Sequence, residues 1–171
     1  MKIVLMGYMA SGKSTVGKLL ASRLGIDFID LDAYIVAHEK KSIPEIFSEK
    51  GEIYFRKLEH QMLTRVLGEK DSLVLATGGG TPIYGDNMRT ILELSEHSVY
   101  LRLSIPELVS RIALEKESRP LVRDLADGDL AEFVGKHLFE RIPVYTRATL
   151  TLDCTGKDAG TLAMELENSL L

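Results

Sequence analysis

The stretch Gly7-Tyr-Met-Ala-Ser-Gly12-Lys13-Ser14 constrains the fold more than any other part of the chain. It fits the pattern G-x-x-x-x-G-K-[ST] at every fixed position. Its flanks matter as much. Lys2–Met6 (KIVLM) reads as a buried parallel strand. After Ser14, Val16, Leu19, Leu20 and Leu24 recur at helical spacing, and Gly25 supplies a C-terminal stop. A strand, a glycine loop and a helix in that order let backbone N–H groups converge on phosphate oxygens, and the helix N-terminus adds partial positive charge. Gly7, Ala10, Ser11, Gly12, Lys13, Ser14 and Thr15 are the candidate nucleotide-binding residues of this loop, with Thr15 an ordinary first-turn residue. Lys13 would contact the β- and γ-phosphates, and the Ser14 hydroxyl would ligate Mg²⁺.

A lysine followed by an apolar run also begins a secretory leader. Here the run from Ile3 to Ala10 is short and is stopped by Gly12-Lys13, so the strand reading is preferred. The chain has 171 residues, enough for one domain with a proper core. Its single cysteine, Cys154, permits no intrachain disulfide and suits a reducing, cytoplasmic setting. The net charge of −4 comes without a polybasic block, which argues against a dedicated nucleic-acid binder. No apolar run approaches the length of a membrane span.

A repeating β/α pattern follows the loop. Candidate strands are Lys2–Met6, Ile26–Asp30, Leu73–Thr77, Val99–Leu103 and Leu150–Asp153. Ser42-Ile-Pro-Glu45 and Ser104-Ile-Pro-Glu107 read as capping boxes, and Asp129-Leu-Ala-Glu132 opens a further helix. The last helix spans about 159–170. Strands alternating with helices imply a mostly parallel sheet covered on both faces, with ligands at the carboxyl ends of the strands.

Chemistry-bearing residues fall at those ends. Asp30 and Asp32 close the second strand. One carboxylate could reach Mg²⁺ and the other a substrate hydroxyl, or the pair could close a turn with Asp32 as the next N-cap. In GEIYFRKLE, Glu52, Arg56 and Glu59 share one helix face, so Arg56 is either a posed carboxylate binder or part of a solvated ion-pair stripe. Ile53, Leu58 and Met62 would supply the core side. Gly78, Gly79 and Gly80 after the third strand allow close backbone approach to a ligand. The charged segment 115–129 reads as a surface loop or as a water-excluding cover whose Arg119 or Arg123 swings over the γ-phosphate. Arg141 either binds a carboxylate or stabilises its helix end.

Together these residues resemble the shikimate kinase family. The resemblance spans nearly the whole chain and rests on GYMASGKST, the DLD at Asp30–Asp32, FSEKGEIYFRKLE, the TGGG, SRPL and ERIPVY. It implies an α/β P-loop NTPase fold of nucleoside-monophosphate-kinase type, five parallel strands in the order 2-3-1-4-5, and a mobile lid. The whole chain, 1–171, would be one such domain, with a substrate-binding helical segment at about 32–62 and the lid at about 114–127. The implied reaction moves the γ-phosphoryl of ATP to the 3-hydroxyl of shikimate, on the route to chorismate and the aromatic amino acids.

By the same resemblance, Lys13, Asp32 and Arg119 are catalytic, and Arg111 lies against adenine. Ser14 ligates Mg²⁺ directly and Asp30 does so through water. Asp32, Arg56, Gly78, Gly79, Gly80 and Arg141 hold shikimate. The expected partners are ATP and shikimate, with no nucleic acid or membrane, and a monomeric state. Two departures stand out: Ala10 occupies a position where the family usually has glycine, and the stretch between Arg119 and Arg141 is longer than usual. A gluconate-kinase-like enzyme would share the phosphate loop but lack the Arg56 helix signature and the TGGG. A GTPase-like switch would need an N-K-x-D signature, which is absent.

Overall fold

A computed structural model describes residues 1–171. Strands β1 (Lys2–Met6), β2 (Asp27–Asp30), β3 (Leu73–Ala76), β4 (His97–Arg102) and β5 (Leu150–Asp153) form one parallel sheet in the order β2-β3-β1-β4-β5. Ile3, Val4, Leu5 and Met6 are all fully buried, as an uninterrupted apolar run requires when helices cover both faces of a central strand. The strand order reverses at β1, which pairs with β3 on one side and β4 on the other. A crevice therefore opens at its carboxyl end, where the glycine loop begins.

The helices are α1 (Lys13–Leu24), α2 (Leu31–Glu39), α3 (Ile43–Glu69), α4 (Asn87–Leu94), α5 (Ile105–Glu115), α6 (Asp127–Tyr145) and α7 (Ala159–Leu170). Helix α1 packs on α7, α2 on α3, and α5 on α6. Both expected Ser caps form: Ser42 accepts from the Glu45 amide and Ser104 from the Glu107 amide. Gly25 ends α1 in the left-handed conformation at φ 67°.

Several boundaries differ from the expectation. The first two residues of β4, His97 and Ser98, are polar at the start of an apolar run, and so escape an apolar count. Helix α6 starts at Asp127, with Asp129 in its first turn rather than at the cap. Helix α4 and the 3₁₀ turn Thr81–Ile83 were not foreseen. Helix α3 is broken at Gly51, whose φ of 84° and ψ of 172° are not helical. Glycine is the residue that adopts such a conformation cheaply. Ile53, read as a core residue, is 76% exposed, because the helix resuming after Gly51 turns Phe55, Leu58 and Met62 inward instead.

Candidate active site

A cleft of about 1090 Å³ opens over the carboxyl ends of the central strands. Ala10, Gly12, Lys13, Ser14 and Thr15 line it from the loop and the start of α1. Asp30 and Asp32 line it after β2, Arg56 from α3, and Gly78–Gly80 after β3. Arg111, Arg119 and Arg141 complete the wall from the α5–α6 side. Gly7 and Ser11 are buried beneath the loop and do not reach the lining.

The loop is folded around its lysine. Lys13 Nζ donates to the carbonyls of Gly7 and Tyr8, both at 2.9 Å. A β-carbon on Gly7 would lie 2.8 Å from the Leu101 carbonyl, so no larger residue fits there. Burial pulls the Lys13 ammonium down to about 8, opposed by the nearby Asp32 charge. An amine held this way gains most when a phosphate arrives.

Ser14 Oγ donates to Asp30 Oδ2 at 2.5 Å. The other Asp30 oxygen accepts from the Ala33 amide at 3.1 Å and caps α2. The N-cap is therefore Asp30, and Asp32 stands one residue inside the helix. A hydroxyl and a carboxylate oxygen side by side are the hard donors that Mg²⁺ takes. No cluster of three or more His, Cys, Asp or Glu side chains could hold a metal unaided. The Ser14–Asp30 pair fits an ion whose other ligands are phosphate oxygens and water.

Asp32 faces the cleft from the first turn of α2. Burial, reinforced by the neighbouring Asp30 and Glu59 charges, pushes its carboxyl up to about 6. Gly78 makes room for it: a β-carbon there would lie 3.2 Å from both Asp32 oxygens.

Arg56 is held in a box. Its Nη1 donates to Glu59 Oε1 at 2.9 Å, and Glu59 is 2% exposed. Thr81 Oγ1 donates to the other Glu59 oxygen at 2.9 Å. Asn87 Nδ2 donates to the Thr81 carbonyl at 2.8 Å, while Asn87 Oδ1 pairs with His60 Nδ1 at 2.8 Å. Glu52 is exposed and stands 3.9 Å away from Arg56 Nε, so a wholly solvated ion-pair stripe does not describe this face. Arg56 Nε is buried with no hydrogen-bond partner. Glu59 was legible as a flanking carboxylate, but Thr81, Asn87 and Tyr84 were missed. Thr81 and Tyr84 lie in the turn after the glycines and Asn87 is the first residue of α4, where no periodicity marks them.

Arg141, in the penultimate turn of α6, is 8% exposed and engages no carboxylate of the protein. A buried guanidinium without a counter-charge is costly unless an anion joins it. Gly79 makes way for it, since a β-carbon there would lie 3.4 Å from Arg141 Nη1. Tyr145 OH pins the same loop by donating to the Gly79 carbonyl at 2.6 Å.

Arg111 Nη1 donates to the Ala10 carbonyl at 3.3 Å and its Nη2 to Glu107 Oε1 at 3.0 Å, so it lies against the phosphate loop. Arg119 Nε donates to Glu115 Oε2 at 3.0 Å at the cleft mouth. Arg123 is exposed, stands 3.9 Å from Asp124 and does not line the cleft.

The shikimate kinase family model matches residues 9–170. The chain belongs to the shikimate kinase family. Among curated members, the shikimate kinase of Flavobacterium psychrophilum is 41% identical over 99% of this chain and 98% of its own. Among solved structures, the Bacteroides thetaiotaomicron shikimate kinase superposes with a TM-score of 0.92 at 34% identity, covering 99% of this chain and 98% of that one. The Acinetobacter baumannii shikimate kinase in complex with shikimate gives 0.89 at 32% identity, covering 99% and 92%. Against the glycine expected of a shikimate kinase at position 10, Ala10 is left-handed here, with φ 63°. Arg111 bonds the carbonyl of that strained residue.

Proposed function

We propose that the protein phosphorylates the 3-hydroxyl of shikimate with ATP, giving shikimate 3-phosphate and ADP. The observation that carries this reading is the pairing of two guanidiniums with unmet capacity, Arg56 with its orphaned Nε and Arg141 with no counter-ion, in the same cleft as the Lys13 amine. A small acid with a planar carboxylate answers both arginines. The backbone amides of Gly79 and Gly80 and the Asp32 carboxylate then meet its ring hydroxyls.

Phosphoryl transfer asks mainly for positioning and charge neutralisation. Lys13 and Arg119 neutralise the migrating group. Asp32 orients the acceptor hydroxyl and takes its proton. Arg111 supports the nucleobase. Magnesium, held by Ser14 and Asp30, would supply further neutralisation of the phosphates. In this reading the chain is a single domain and acts as a monomer. Helices α2 and α3 form its acceptor side, and the segment around 114–127 is a lid that keeps water from ATP.

The test is ADP release by purified protein with ATP, Mg²⁺ and a panel of hydroxy acids. Turnover that depends on shikimate supports the reading, and turnover with gluconate alone would overturn it. Arg56→Ala is expected to raise KM for shikimate by a factor equivalent to about 2–4 kcal/mol, the cost of a charge-assisted hydrogen-bond pair. An unchanged KM would remove Arg56 from the site.

A further inference from the structure

His137 stands on α6 one turn before Arg141 and lines the cleft. Its Nδ1 lies 2.9 Å from the hydroxyl of Tyr8, the second residue of the phosphate loop. The Tyr8 ring packs edge-on to the imidazole, and Phe133 leans against it from the preceding turn of α6. Tyr8 is 1% exposed and His137 is the sole partner of its hydroxyl. A buried phenol must donate its proton, and here the only acceptor is Nδ1. Accepting at Nδ1 places the ring proton on Nε2. No protein atom accepts from Nε2, and the residue lines the cleft.

We infer that His137 is a further acceptor-binding residue, which donates its Nε2–H to an oxygen of the hydroxy acid beside the Arg141 clamp, and that Tyr8 is the positioning residue that sets its tautomer. This rests on the proposed function above. Two features favour it. Residues four apart on a helix share a face, so a ligand anchored by Arg141 passes His137. The ring also stays neutral: burial and the Arg141 charge lower its pKa, with Glu140 opposing them weakly, and Tyr8 faces it from the loop. A neutral imidazole with a fixed tautomer is a directional donor suited to a hydroxyl or carboxylate oxygen. The pair also ties the phosphate loop to the helix that carries Arg141, across 129 residues of sequence.

Nitrogen-detected NMR of the imidazole tests both halves on the intact protein at pH 7.5. The expected spectrum is that of the Nε2–H tautomer, with the ring shifts moving on saturation with shikimate and not with ADP alone. In Tyr8→Phe the tautomer preference is expected to weaken. His137→Phe and His137→Asn should each raise KM for the acceptor about 2–12-fold, the range of one hydrogen bond. KM for ATP should stay within about twofold. An Nδ1–H tautomer, or ring shifts that ignore shikimate while calorimetry shows it bound, would overturn the inference. So would normal acceptor KM in both folded variants. If shikimate neither binds nor turns over, the functional reading fails and with it the inferred acceptor contact, while the Tyr8 tautomer result is read independently.

Discussion

The guanidinium carbon of Arg56 lies 3.6 Å from the centroid of the Tyr84 ring. Phe55 and Phe47 flank it at 5.2 and 6.0 Å. With one ring against its face and Glu59 on Nη1, the guanidinium has little rotational freedom left. Removing the platform in Tyr84→Ala should raise KM for the acceptor about 3–30-fold, the worth of a partly desolvated cation–π contact. Tyr84→Phe should retain most of the affinity, and steady-state kinetics with varied acceptor separates the two.

Asp32 supplies a pH signature. Its carboxyl is pushed up to about 6, so kcat/KM for the acceptor, which reports the free enzyme, should fall as pH drops through about 6. Asp32→Asn should lower kcat by about 100-fold or more while ATP still binds.

Stability should respond in the opposite direction. A carboxyl whose folded value lies above its unfolded one binds more protons in the folded state, so its contribution declines as pH rises from about 4 to 6. Asp32→Asn should therefore stabilise the fold at pH 8, by at most about 3 kcal/mol. The gain should vanish near pH 4, as denaturant midpoints at the two pH values will show.

Lys13, pulled down to about 8, is partly neutral at that pH before nucleotide arrives. Phosphate favours the charged form, so ATP binding near pH 8 should take up a fraction of a proton through Lys13, a contribution that is absent at pH 6, where the amine is already charged. Calorimetry in two buffers of different ionisation enthalpy measures this. Uptake that persists in Lys13→Met would assign it to another group.

Ala10 carries a left-handed backbone that a β-carbon disfavours by about 1–2 kcal/mol. Glycine's greater freedom in the unfolded chain offsets part of that. Ala10→Gly should leave a net gain of about 0.5–1 kcal/mol in urea unfolding. A loss would mean that the methyl group packs favourably enough to outweigh the strain.

The phosphate loop, the sheet order and the Arg56–Glu59 pair were legible because each is written in local spacing or in motifs that resemble a known family. What stayed hidden depends on distant partners. Tyr84 reaches Arg56, and Tyr8 reaches His137, only once the sheet has brought their segments together. Asp32 was the expected N-cap, and only the turn geometry after β2 gave that place to Asp30. The three glycines were read as space for a ligand. Each also yields space to a protein side chain: Gly78 to Asp32, Gly79 to Arg141 and Gly80 to Arg56.

The break at Gly51 separates two jobs within one long helix. Upstream of it, Ile43, Pro44 and Phe47 form part of the cleft wall, while downstream Arg56 is tied to Glu59 and through it to Thr81. No atom would obstruct a side chain at Gly51, so the joint is unpacked and strained only for other residue types. Phe47 folds back onto Phe55 across this joint, with ring centroids 4.6 Å apart, so one stretch of chain supplies both a wall and an anchor, and any residue other than glycine at the joint would strain the backbone that brings the two together.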